Sequence, residues 1–184
     1  MLLYYATRDG HTRRIADRIA ARLARNGIAV TPADLDETRP TPGELAQAPL
    51  VAAVLAIRYG KHLPQSARLV EALHGCPAPP PLALASVCLT ARKPGKDTPE
   101  GNVYLRKFLA RNGLKPALAA AFAGRLDYPR YRFLDRLAIR FIMLMTGGPT
   151  DPTATVEFTD WEKVEVFADQ IADLHAQMTS GVNR

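Results

Sequence analysis

The sequence predicts an α/β fold, a parallel sheet wrapped by helices, and three observations carry that prediction. Short apolar runs alternate with longer amphipathic stretches, the order in which strand–helix–strand units are laid down. The runs are nearly continuous in Val, Leu, Ile and Ala, as strands buried on both faces are. The chain of 184 residues, 47% hydrophobic and 23% charged, has the size of one domain that buries a core without metal or disulfide support. A single domain is expected over residues 1–178, with an insertion at residues 125–155 and a tail at residues 179–184.

The five strand candidates are residues 2–6, 28–31, 50–57, 82–88 and 118–123. Between the first two, Ile15, Ile19 and Leu23 recur at four-residue spacing. Arg14, Arg18, Arg22 and Arg25 take the other face, and Asn26-Gly27 supplies a stop, which makes an amphipathic helix. Residues 31–49, with Pro32, Pro40, Pro42 and Pro49, leave room for only a short helix. A helix follows Pro64 and ends near His74-Gly75, and another runs over residues 102–111 before Asn112-Gly113. The last helix begins at Thr159-Asp160-Trp161-Glu162, where Thr159 and Glu162 have capping-box spacing. Val164, Phe167, Ile171 and Leu174 mark its buried stripe.

Composition narrows the function classes. Cys76 and Cys88 match neither a CxxC nor a zinc spacing, so a disulfide framework and a structural metal are not expected, and a reducing cytoplasmic compartment is. The N-terminus lacks the pattern of a signal peptide, and no apolar run approaches the ~20 residues of a membrane-spanning helix. A net charge of +6 points to anionic partners: phosphate, carboxylate, nucleic acid or anionic lipid.

The strongest site signal is Thr7-Arg8-Asp9-Gly10-His11-Thr12, set directly between the first strand and the first helix. In an open parallel sheet, ligands bind beyond the carboxyl ends of the strands. There, such a loop aims backbone N–H groups and the helix dipole at an anion. Hydroxyls at Thr7 and Thr12, with Gly10 allowing close approach, suit one phosphate. GxxxxGK[ST] and GxGxxG are both absent, which argues against a nucleotide-hydrolysing P-loop and a dinucleotide fingerprint. A plain turn at Asp9-Gly10 with Thr12 as helix cap is the competing reading.

Two connections exceed what such a fold needs, and long ordered connections are usually functional. Residues 89–101 form a polar loop with Arg92, Lys93 and Lys96. Within residues 125–155, Arg132, Arg136 and Arg140 fall at four-residue spacing beside a stripe of Phe133, Leu137, Phe141 and Leu144, with Ile142, Met143 and Met145 adding apolar surface. A basic amphipathic helix over residues 129–145 either lies in an anionic membrane interface or folds its apolar side over the sheet edge with its arginines solvated.

The loop at residues 7–12, Ile57-Arg58-Tyr59-Gly60, Ala91-Arg92-Lys93-Pro94 with Thr98-Pro99, Tyr128-Pro129-Arg130-Tyr131-Arg132, and Gly147-Gly148 followed by Thr159-Asp160-Trp161 stand in a characteristic order. In these motifs the chain resembles the flavodoxin-like, quinone-dependent protoporphyrinogen IX dehydrogenases, from Tyr4 to about Ile171. Position 11 departs from the Gln of a family member. The resemblance implies a doubly wound five-stranded sheet of order 2-1-3-4-5 that binds FMN. Thr7, Arg8, Asp9, Gly10, His11 and Thr12 would hold the phosphate, and Arg58, Tyr59 and Gly60 would line one side of the ring. Cys88, Leu89, Thr90 and Ala91 would meet its polar edge, although a small buried residue at a strand end is the commoner role for Cys88.

It further implies oxidation of protoporphyrinogen IX to protoporphyrin IX in haem synthesis, with electrons passed to a membrane quinone, menaquinone being the expectation. A bilayer-resident quinone favours the membrane reading of the insertion and a peripheral place on the inner face of the cell membrane. No catalytic side chain and no metal are expected, because the flavin carries the reactivity. Arg92, Lys93, Lys96, Arg125, Arg130, Arg132, Arg136 and Arg140 are candidates for substrate propionates or lipid phosphates, and Tyr128 and Tyr131 for stacking on the macrocycle. An electron-carrying flavodoxin would be acidic, which this chain is not, and an NAD(P)H:quinone reductase is a further rival. A cofactor-free module on membrane or nucleic acid would leave the cradle and the ring-side loops unexplained.

Overall fold

The computed structural model describes residues 1–131, 133–145 and 147–181. Strand β1 (Leu2–Ala6) sends Leu3 and Tyr5 into one apolar layer and Tyr4 and Ala6 into the other, the alternation of a strand covered on both sides. The same parity holds in β3 (Val51–Arg58) and β5 (Leu82–Cys88), where Ala52, Val54, Ala83, Ala85 and Val87 face the first layer and Val51, Ala53, Leu55, Leu82 and Leu84 the second. With β2 (Ala33–Asp34) and β6 (Leu118–Ala123), these form a parallel sheet of order β2-β1-β3-β5-β6. A short antiparallel return, β4 (Lys61–His62), pairs with the end of β3. Setting β4 aside, this is the expected order 2-1-3-4-5.

Helices α1 (His11–Arg25) and α6 (Trp161–Gly181) cover the first face, with Ile15, Ile19 and Leu23 packed against Val164, Phe167 and Ile171. Helices α2 (Pro42–Gln47), α3 (Ser66–His74) and α4 (Val103–Arg111) lie on the other face through Leu45, Leu69, Leu73 and Leu105. The arginine row of α1 is not simply solvated. Arg14 pairs with Glu157, Arg18 with Glu165 and Arg22 with Asp169, so the row zips α1 to the C-terminal segment.

Three local expectations are corrected. Residues 28–31 are not a strand, because Gly27 takes a left-handed conformation (φ 77°) and the Ile28 N–H closes the helix on Leu23 O at 3.0 Å. This Schellman closure uses the donor that a strand would need, and pairing with β1 starts only at Ala33. The cap of α6 is Asp160, which accepts from the Lys163 N–H at 3.1 Å, while Thr159 turns inward to donate to Ala123 O at 2.8 Å. Helix α6 also continues through Gly181, past the expected boundary at residue 178.

The insertion is a small layer of its own. β7 (Arg125–Asp127) and β8 (Thr155–Glu157) pair as an antiparallel ribbon, a 3-10 turn covers Tyr128–Arg130, and α5 spans Phe133–Met145, later than the expected start at residue 129. Leu126, Tyr128, Tyr131, Ile139 and Met143 form its core.

One partly buried group links stability to pH. His62 Nε2 meets Ser86 Oγ at 2.8 Å, its ring packs on Phe108, and burial lowers its pKa to about 4. A neutral folded-state His against an unfolded value near ~6.5 means the unfolded chain binds more protons between the two. Stability is therefore full above about pH 6.5 and falls as pH drops toward 4, by roughly 2–3 kcal/mol. Denaturant titrations at pH 7 and pH 4.5 should show the loss, and His62→Asn should remove this contribution to it.

Candidate functional site

The carboxyl ends of β1, β3, β5 and β6 surround a cavity of about 650 Å³. It opens between β1 and β3, where the strand order reverses, the usual ligand position in such sheets. Its walls come from the loop after β1, from residues 56–60, from residues 87–93, and from Gly124 and Arg125.

In the first loop, Gly10 is the N-cap of α1 with φ 83°, a conformation that only glycine adopts cheaply. It brings no side chain to occupy the N–H groups of the first helical turn. Thr7 Oγ1 accepts from the Gly10 N–H at 3.0 Å and locks the turn. The His11 ring is committed elsewhere: Nε2 meets Thr159 Oγ1 at 2.7 Å. Because that hydroxyl spends its hydrogen on Ala123 O, Nε2 is the donor, and Nδ1 is left as a buried lone pair with no partner. Burial lowers the pKa of His11 and keeps it neutral, so the ring ties the loop to the start of α6 and carries no charge to an anion. Its backbone N–H stays with the helix N-terminus.

Arg58 joins four segments and is 16% exposed. Its guanidinium reaches Asp9 at 2.7 Å and Asp135 of α5 at 2.9 Å, and it lies over the rings of Tyr59 and Tyr131. The Tyr59 hydroxyl donates to Asp135, and that bond, with the Arg58 charge, holds the Asp135 carboxyl below its usual range. Tyr59 (φ 51°) and Gly60 (φ 75°) turn β3 into β4, both left-handed as a two-residue hairpin of the I′ kind requires. Tyrosine in that conformation is strained, and the strain sits on the cavity rim. Tyr104 packs close against Gly60.

After β5, Leu89, Thr90, Arg92 and Lys93 line the cavity, but Ala91 is buried in the core. Cys88 Sγ accepts from Asn102 Nδ2 at 3.4 Å, and Asn102 caps α4 through Leu105 N–H and holds Lys96 O. Cys88 thus anchors this loop from the end of β5 while lining the cavity. Arg92 donates to Leu89 O at 2.8 Å and lies over Phe158, and Lys96 is exposed outside the cavity.

The insertion closes the cavity from above. Tyr131, Ile139, Ile142 and Met143 line it. Tyr128 does not: it is fully buried, with its hydroxyl on Pro149 O, so it holds the insertion together and cannot stack on a macrocycle. Arg136 and Arg140 donate to Tyr131 O and Thr150 O, so they brace the insertion's own backbone and are not simply solvent- or lipid-facing. Arg125 lies at the cavity wall, Arg130 is exposed beside it, and Arg132 lies outside the described residues. Sequence reasoning missed Asp135, whose signal was present as the one acidic residue of this basic helix.

The flavodoxin-domain family profile matches residues 2–153. A protoporphyrinogen IX dehydrogenase [quinone] of Escherichia coli (strain K12) is 40% identical over 173 residues, covering 94% of both chains. The chain belongs to the protoporphyrinogen IX dehydrogenase [quinone] family. The family's protein from Leishmania major is 41% identical over 174 residues, covering 94% of this chain and 74% of that one. Among solved structures, the oxidised flavodoxin 1 of Bacillus cereus aligns over 96% of both chains with a TM-score of 0.54 at 16% identity, which supports the fold. In this dehydrogenase-family chain, α5 of the residue 125–155 segment helps to wall the cavity.

Proposed function

We infer that the chain binds FMN in this cavity, oxidises protoporphyrinogen IX to protoporphyrin IX, and passes the electrons to a membrane quinone, with menaquinone the expected acceptor. The observation that carries this reading is the double use of α5. Ile139, Ile142 and Met143 help to wall the cavity, while Phe133, Leu134, Leu144 and Met145 are each at least 70% exposed on the same helix. A helix joining a cofactor site to an uncovered apolar face suits an electron acceptor that resides in the bilayer.

The residues present fit FMN. The open N-terminus of α1 with the Thr7 and Thr12 hydroxyls suits its phosphate, and the apolar walls from Ile57, Leu63, Leu89 and Tyr59 suit a flat ring. When bound, FMN supplies the two-electron redox chemistry. The protein's part is to orient the ring between residues 57–60 and 87–90, to exclude water under α5, and to present Lys93 and Arg92 at the rim, where substrate carboxylates approach. Leu137 and Phe141 extend the outer face of α5, which we place in the membrane interface. No described helix is long and apolar enough to cross a membrane; the contact we propose is a peripheral one.

Gly10→Val tests the cofactor assignment. A Cβ at Gly10 meets no protein atom within 4 Å, so the main cost to the fold is the left-handed backbone, about 1–2 kcal/mol for an ordinary L residue and more for a β-branched one. The wild-type protein should release FMN on denaturation, identified by mass. The variant should fold with most of its FMN lost, whereas full FMN stoichiometry would contradict a phosphate site at this loop.

A further inference from the structure

We propose that Arg125 is the cation that holds the phosphate of the bound flavin nucleotide, and that Asp127 positions it for that task. The proposal rests on the FMN reading above and adds a residue that the insertion, not the flavodoxin core, contributes. A recess of about 130 Å³ adjoins the large cavity at the N-terminus of α1 and is lined by Gly10, His11, Arg14 and Arg130 among others. Four described residues line both spaces: Asp9, His11, Tyr131 and Arg125. Arg125 is therefore the one described cation at the junction where a phosphate on the helix end meets the rest of a nucleotide in the cavity.

The neighbouring cations are placed or engaged differently. Arg14 pairs with Glu157 at 3.0 Å and lies over Trp161, and Arg58 is shared between Asp9 and Asp135. Arg8 is exposed and lines only the cavity, and Arg130 is exposed and lines only the recess. His11 is neutral and 9% exposed, with an unpartnered Nδ1, so it walls the recess without supplying charge. Arg125 gives Nη2 to Asp127 Oδ2 at 3.0 Å, and its Nε is buried with no partner. Asp127 is itself buried and accepts from Thr155 Oγ1 across the β7–β8 ribbon, which anchors the carboxylate that holds Arg125 Nη2.

Beyond the helix end a phosphate needs further donors, and Arg125 supplies them there, although Asp9 and Asp127, which also line the recess, offset part of its charge. A helix N-terminus offers the equivalent of about half a positive charge, against roughly 1.5–2 negative charges on a phosphate monoester near neutral pH. A guanidinium with its Nε–H still unpaired matches phosphate oxygens in both charge and geometry.

Flavin titrations of the cofactor-free full-length chain test the proposal, using FMN and riboflavin, which differ only by the phosphate. Arg125→Gln should weaken FMN binding roughly ten- to hundredfold and leave riboflavin binding unchanged. Asp127→Asn should shift FMN in the same direction by less. An equal loss for both flavins would show a structural role, and unchanged FMN binding with a raised KM for protoporphyrinogen would show a substrate contact; either result overturns the proposal. Where Arg125→Gln does not fold, Arg125→Lys carries the test: a loss confined to FMN supports the assignment, and an equal loss or none overturns it. A wild-type chain that binds neither flavin refutes the FMN reading itself, and the proposal with it.

Discussion

Replacing Arg58 by Met is expected to lower stability by about 2–3 kcal/mol and to cost most of the bound cofactor. The substitution keeps an apolar stem but leaves Asp9 and Asp135 without their shared cation, and it uncovers the faces of Tyr59 and Tyr131. Removing one member of a half-buried charge cluster costs more than the cluster is worth, because the remaining carboxylates stay partly desolvated. For a chain of this size the loss corresponds to a melting temperature lower by roughly 5–10 °C. Adding Asp135→Asn to Arg58→Met should recover part of that loss by removing one stranded carboxylate. A melting curve unchanged by Arg58→Met would mean that α5 is held down by Ile139 and Met143 alone.

The second large effect is expected at the outer face of α5. Leu137→Asp with Phe141→Asp places two charges on side chains that are exposed in the structure, so folding and FMN content should hold. Each apolar side chain withdrawn from a lipid interface loses about 1.5–3 kcal/mol, so partitioning onto anionic vesicles should fall by roughly a hundredfold or more. Turnover with a vesicle-borne quinone should fall with it, while turnover with a water-soluble quinone should persist. Arg136 and Arg140 are poorer probes of the same idea, because their bonds to Tyr131 O and Thr150 O make them braces of the insertion. Unchanged vesicle binding in the doubly charged variant would remove the membrane from the account.

What could be read from the sequence was the part governed by local rules. The strands at Leu82–Cys88 and Leu118–Ala123 are continuous apolar runs and fell where expected, and the loop between β1 and α1 was legible from its position and its glycine. The segment at residues 28–31 misled because its apolar residues pack on the core without joining the sheet. Tyr128 misled in the opposite way: a motif rich in Tyr and Arg suggested a surface, and the residue is one of two tyrosines in a core that forms only when β7, α5 and the loop after α5 come together. The Arg58 cluster was out of reach for a different reason. Its partners lie 49 residues before it and 77 residues after it, and no periodicity records such pairings. Asp135 and Arg125 share that limitation, since each acquires its role from where the insertion docks.

On this reading one cavity, roofed by α5, carries electrons from a porphyrinogen to a quinone. The most direct measurement mixes purified protein with protoporphyrinogen IX and a vesicle-borne quinone, with oxygen excluded, and follows protoporphyrin fluorescence. Fluorescence should rise with quinone and stop at flavin-limited amounts without it. No porphyrin with any quinone, together with rapid flavin reduction by NADH, would contradict it and identify a reductase of another kind.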